Sequence, residues 1–99
     1  MIVKIVNGKV ELRKENGILI RNISTTNAVE ADLSSDEQHL LITTANGKVE
    51  LRKINGILER NVVNSNAVGA RFHGADVLIK TNTGKTELRK INGILIRNL

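Results

Sequence analysis

The sequence predicts an all-β fold built from repeated four-stranded antiparallel meanders, two full units plus one partial. Two observations carry that expectation. One segment recurs: residues 7–22 read NGKVELRKENGILIRN, residues 46–61 read NGKVELRKINGILERN and residues 84–98 read GKTELRKINGILIRN. Around these copies, short runs rich in Val, Ile, Leu and Thr alternate with Asn-Gly dipeptides and other turn residues. The chain has no proline, so Gly and Asn must make the turns.

The first two copies differ at two of sixteen positions, Glu15/Ile54 and Ile20/Glu59. A looser repeat lies between them. Asn27-Ala28-Val29-Glu30-Ala31 matches Asn66-Ala67-Val68-Gly69-Ala70, and Leu40–Thr44 matches Val77–Thr81. The repeating unit is therefore 37–39 residues long, measured from Gly8 to Gly47 to Gly84. We divide the 99 residues, as one repeat domain, into a partial unit 1–23 and full units 24–62 and 63–99. The partial unit lacks the Asn-Ala-Val segment.

Within a full unit the expected strands are Ala28–Leu33, Leu40–Thr44, Lys48–Lys53 and Ile57–Val62. Asn16-Gly17, Asn55-Gly56 and Asn92-Gly93 divide the third run from the fourth. Asn-Gly is the strongest short hairpin signal, because a type I′ turn needs positive φ at both central residues. Asn7-Gly8 and Asn46-Gly47 predict another tight hairpin between the second and third runs. Ser34-Ser35-Asp36-Glu37-Gln38 makes a longer loop than its counterpart His73-Gly74-Ala75, which explains the unequal spacing. A two-residue loop at Asn55-Gly56 would pair Ile54 with Ile57 and Arg52 with Glu59, an ion pair worth roughly 0.2–1 kcal/mol. Val49 and Leu51 lie on one face of these strands, Ile54 and Ile57 on the other. Two partly apolar faces predict small sheets stacked face to face.

Four-stranded meanders at this period are the pattern of a β-propeller blade. The stretch from Ala28 to Glu37 resembles the innermost strand and following loop of the WD-repeat family. Leu40–Thr44 resembles that family's second strand, and Gly47–Lys53 its third. The family's Trp-Asp pair would fall at Arg52-Lys53, but the copies carry Arg-Lys there: Arg13-Lys14, Arg52-Lys53 and Arg89-Lys90. The resemblance implies a propeller without the family's buried Asp–His network. Propellers have about four to eight blades, so fewer than three units imply closure by self-association. A dimer brings the number to six, or nearly so, with eleven clean strands per chain in place of twelve. The alternative is a single-chain three-fold fold such as a β-trefoil or β-prism. Against it, the chain is short and Phe72 is its only aromatic residue.

Composition narrows the function. With no cysteine there is no disulfide, thiolate nucleophile or thiolate metal site. No window approaches the roughly 20 apolar residues of a membrane helix, and the N-terminus has no signal-peptide pattern. The expectation is no membrane partner and, by default, a cytoplasmic location. Ser24, Ser34, Ser35 and Ser65 lack a nucleophile context. The recurrent Gly-Lys opens a strand and lacks the rest of a phosphate loop. His39 and His73 stand near Asp36, Glu37 and Asp76 but read as loop histidines, not metal ligands. We expect no enzyme, cofactor or metal. A small hydrolase or lectin-like site is a weak third alternative, because no aromatic platform exists to stack a sugar.

Glu11, Glu50 and Glu87 recur with the unit and are expected to pair with a cation on a neighbouring strand. Glu30 and Asp32 share one face of what would be an innermost, channel-facing strand. Their counterparts are Gly69 and Arg71, so the acidic pair either binds a cation or meets Arg71 of another blade. The net charge is +5, and twelve of the fifteen Lys and Arg recur with the unit. In a propeller they would form a belt on the rim. Arg13, Lys14, Arg52, Lys53, Arg89 and Lys90 are then either contacts for a polyanion or charges that keep edge strands from pairing. The expected function is a non-catalytic binding or scaffold module whose partner is itself, a dimer being favoured. The alternative is binding of nucleic acid or an acidic protein through the belt.

Overall fold

The turn chemistry and strand runs produce eleven β-strands in the computed structural model, which describes residues 1–23 and 27–99. No helix occurs among them, so none is long and apolar enough to cross a membrane. Ser24 and the 23/24 unit boundary fall outside the described residues.

The strands form three antiparallel meanders. Sheet A contains β1 (Ile2–Val6), β2 (Lys9–Arg13) and β3 (Leu19–Ile23). Sheet B contains β4 (Ala28–Leu33), β5 (His39–Thr44), β6 (Val49–Lys53) and β7 (Leu58–Val63). Sheet C contains β8 (Ala67–His73), β9 (Asp76–Thr81), β10 (Thr86–Lys90) and β11 (Leu95–Asn98). Within each sheet, strands that follow one another in the chain pair, and β7 of sheet B runs one residue past the expected 62/63 unit boundary.

The sheets stack face to face, with B in the middle. Val3, Ile5, Val10, Leu12 and Ile23 of sheet A meet Ala28, Leu40 and Ile42 of sheet B in one core. Leu41, Val49, Leu51 and Val62 on the opposite face of sheet B meet Ala67, Ala70, Val77 and Ile79 in a second. Strand β5 therefore buries both faces, which is why Leu40-Leu41-Ile42-Thr43 reads as a continuous run instead of an alternating one. Leu40, Leu41 and Ile42 are fully buried, each worth about 1.5–3 kcal/mol over an exposed side chain. Sheets A and C each keep one face open. The molecule measures 39 × 26 × 20 Å, an open stack.

Two hairpin chemistries replace the single one expected from Asn-Gly. Asn7 and Gly8 have φ of 51° and 78° and join Val6 directly to Lys9, a two-residue type I′ turn. At Asn55-Gly56 only the glycine has positive φ, 96°. Gly56 N–H donates to the Lys53 carbonyl, and Lys53 N–H to the Ile57 carbonyl. That is a three-residue loop ending in a glycine bulge. The bulge moves the register by one, so Arg52 lies opposite Leu58 and the expected Arg52–Glu59 and Ile54–Ile57 pairs do not form. Asn46-Gly47 likewise closes a longer loop, with Thr44 N–H donating to Lys48. The same bulge recurs next to Arg13 and Arg89.

Candidate functional site

The most regular polar constellation is a clamp at the outer hairpin of each sheet. Arg52 Nε donates to Glu50 Oε1 at 3.0 Å, and its Nη1 to the Gly56 carbonyl at 2.7 Å. Arg13 holds Glu11 and Gly17 in the same way, at 3.0 and 2.6 Å. Arg89 holds Glu87 and Gly93 at 2.9 and 2.6 Å. In each turn the Asn side-chain oxygen accepts from the backbone N–H two residues on, at 3.1 Å. The bulged loop points its glycine carbonyl at the strand, and the guanidinium fork reaches both acceptors at once. The recurrent glutamates thus pair within their own strand, two residues away, and not across to a neighbour as expected. The sequence signal was available: Glu-x-Arg-x-x-Asn-Gly is invariant among the three copies.

The clamp divides the expected polyanion contacts into two groups. Arg13, Arg52 and Arg89 are partly buried and engaged by Glu and backbone. Lys14, Lys53 and Lys90 are exposed. Arg21, Arg60 and Arg97 on the outer strands are exposed as well.

Of the expected channel-facing residues, Asp32 separates from Glu30 and Arg71, which line one hollow. Asp32 Oδ2 accepts the Phe72 backbone N–H at 2.8 Å, tying β4 to β8. The Glu30 carboxylate lies over Gly69; a Cβ there would sit 3.0 Å from its Oε2. Gly69 thus makes room for the acid that stands at its own counterpart position in the preceding unit. Arg71 is exposed on the open face of sheet C and shares a hollow with Glu30, Lys80 and Thr86. Among the described residues no ion pair joins Glu30 or Asp32 to Arg71.

His39 Nε2 lies 3.0 Å from Glu59 Oε1, the partner that replaces the expected Arg52. His73 is exposed at the end of β8, opposite Asp76. Among the described residues no three His, Asp or Glu converge as a metal-binding group. In the loop before β5, Ser34 Oγ donates to Asp36 Oδ1 at 2.6 Å and the Gln38 N–H donates at 3.1 Å. The hydroxyl bond first, and the backbone bond second, hold the Asp36 carboxyl below its ordinary pKa.

Large apolar side chains are exposed where each outer strand begins. Ile18, Ile57 and Ile94 are each 57% exposed, directly after the clamped turn. Leu19, Leu58 and Leu95, the first residues of β3, β7 and β11, are exposed as well.

Comparison with known families locates this architecture. The family described as Helicobacter pylori IceA2 protein matches residues 1–62. The chain belongs to the IceA2 family. The IceA2 match spans sheet A and all but the last residue of sheet B. Sheet C lies beyond it and repeats the unit of sheet B. No curated protein matches the chain.

Proposed function

We propose that this IceA2-family chain is a non-catalytic binding or scaffold module that self-associates. Its sheets act as blade-like units, and a ring of two copies would hold six of them. The observation that carries this reading is the open stack: sheet B is covered on both faces, whereas sheets A and C are each covered on one. Ile2 and Val6 on the open face of sheet A are 42% and 37% exposed. Repeat architectures gain stability by covering each unit with the next, and closed symmetric assembly is the common way to cover the last one. Sedimentation equilibrium across a concentration series tests this. A mass of about twice 10.9 kDa is expected, and a monomer at every concentration defeats the proposal.

A second reading is favoured by the exposed cations: a polyanion meets Lys14, Lys53 and Lys90 with Arg21, Arg60 and Arg97. The clamp neutralises Glu11, Glu50 and Glu87 locally, leaving these six charges as the belt. Binding to single-stranded RNA that falls steeply with salt supports it; no binding at low salt defeats it.

A further inference from the structure

The register of the three sheets shows which surfaces two copies would join. In sheet A, β1 and β2 pair Ile2 with Arg13 and Lys4 with Glu11. The same positions in sheet B are Leu40 with Arg52 and Ile42 with Glu50. In sheet C they are Val77 with Arg89 and Ile79 with Glu87. The open face of sheet A is therefore the positional copy of the faces that sheets B and C bury. The open face of sheet C is likewise a copy. Leu78 with Leu88 and Lys80 with Thr86 stand where sheet B has Leu41 with Leu51 and Thr43 with Val49. Sheet A has Val3 with Leu12 and Ile5 with Val10 at those positions.

A second set of counterparts agrees. Ile23 and Val62, at or next to the ends of their outer strands, are 2% and 5% exposed, whereas their counterpart Leu99 is 68% exposed. A Cβ on Gly56 would touch Ile23, and one on Gly93 would sit 2.6 Å from the Val62 carbonyl oxygen. The counterpart of those glycines, Gly17, has nothing within 4 Å. In each internal joint the end of one outer strand meets the hairpin of the next sheet. Among the described residues, Leu99 and the Asn16-Gly17 hairpin are the unmatched halves of the same joint.

We infer that two copies associate head to tail, the open face of sheet C on the open face of sheet A, with Leu99 of one copy against the Asn16-Gly17 hairpin of the other. The inference rests on the self-association proposed above and adds its surfaces. The contact continues an interface that the chain already forms twice within itself. Like-on-like pairing repeats neither internal joint: C on C sets the face of Arg71 and Lys80 against itself, and A on A the face of Lys4.

The joint carries a built-in weakness. Three cations do not recur with the unit, Lys4, Arg71 and Lys80, and all three lie on the open faces. Lys4 replaces the buried Ile42 and Ile79, and Lys80 replaces Thr43 and Ile5. These lysines keep the free faces polar, and covering them in the joint costs desolvation that the internal joints, with Ile42, Ile79 and Thr43 at those positions, do not incur.

The test uses the absence of cysteine in the full chain. Asn16→Cys and Leu99→Cys are made separately, mixed, and treated with a short bis-maleimide linker. A covalent dimer joining residues 16 and 99 in the mixture, at least about tenfold above either variant alone, supports the joint. Equal dimer yield in a single variant overturns it in favour of like-on-like pairing. An oligomeric mass without any cross-link overturns the joint but leaves self-association standing, whereas a monomeric mass removes both. As an independent arm, Lys80→Thr leaves the core untouched and is expected to tighten dimerisation by about tenfold. Unchanged affinity counts against the joint.

Discussion

The Asp32 carboxylate accepts the backbone N–H of Phe72 at 2.8 Å and joins the first strands of two successive sheets. Phe72 lies forty residues further along the chain, on β8. A strand at the edge of a sheet has unpaired backbone donors, and this carboxylate satisfies one of them from outside the sheet. Asp32→Ala is expected to lower stability by about 1.5–3 kcal/mol, the range for a hydrogen bond to a charged group. Urea denaturation measures it, and a change below a few tenths would show that water replaces the bond.

The hairpin clamps give a graded series. The Arg52 side chain is 12% exposed, Arg89 22% and Arg13 30%. Lysine cannot make the two-pronged contact to both Glu and the glycine carbonyl. Arg→Lys at these sites is expected to cost about 1 kcal/mol or more, in the order Arg52, Arg89, Arg13. Three urea midpoints under one set of conditions decide the order. Equal losses would mean that exposure does not govern the clamp.

Much of the fold was legible because the repeat reports strand positions three times over. Ala28–Leu33 is β4 as expected, and the other three runs of that unit shift by no more than one residue at either end. Face-to-face stacking was expected from Ile54 and Ile57 as the second apolar face, but Ile57 is 57% exposed at the turn, and the second face of sheet B is made by Leu40 and Ile42 of β5. What stayed hidden was the register beyond each turn. Asn-Gly is compatible with a type I′ turn, as at Asn7-Gly8, and with a bulged three-residue loop, as at Asn55-Gly56. The dipeptide is identical, and the bulged form is accompanied by the bond from the Arg52 guanidinium to the Gly56 carbonyl. That one-residue difference cancelled the expected Arg52–Glu59 pair and gave Glu59 to His39. Asp32 was visible as an acid on the inner strand, but its acceptor role depends on where β8 packs, which no local pattern records.

Thr43 is fully buried, and its hydroxyl has no hydrogen-bond partner among the described residues. An unpaired buried hydroxyl loses its hydration without replacement. Thr43→Val keeps the shape and removes the polar atom, so a gain of about 1 kcal/mol is expected. Its position supports this: Thr43 lies opposite Val49 on the face that meets sheet C. A loss of stability would show that the hydroxyl is satisfied by buried water.

The Asp36 carboxyl is held down chiefly by the Ser34 hydroxyl, then by the Gln38 N–H. Its folded pKa lies below its unfolded one. The linked stability is therefore present above the unfolded carboxylate pKa and disappears as pH falls through the folded value. Ser34→Ala removes the larger cause, so the Asp36 titration should move upward toward the ordinary Asp value. Carbon-detected NMR of the side-chain carboxyl follows it directly. An unmoved midpoint would assign the depression to the Gln38 backbone bond alone.

Gly17 and Gly93 occupy the same turn position in sheets A and C, with φ of 92° and 94°. Alanine is strained at both by about 1–2 kcal/mol, the penalty for a left-handed L-residue. Only at Gly93 does the new Cβ also strike backbone, 2.6 Å from the Val62 carbonyl oxygen. A backbone atom held by β7 cannot swing aside as a side-chain tip would. Gly93→Ala is therefore expected to cost at least about 1 kcal/mol more than Gly17→Ala, the scale of an overpacked site. The comparison is made on dilute protein by thermal and urea unfolding, so that the strain common to both cancels. Equal losses would mean that sheet C yields at the hairpin, and that the grip between successive sheets does not run through this turn.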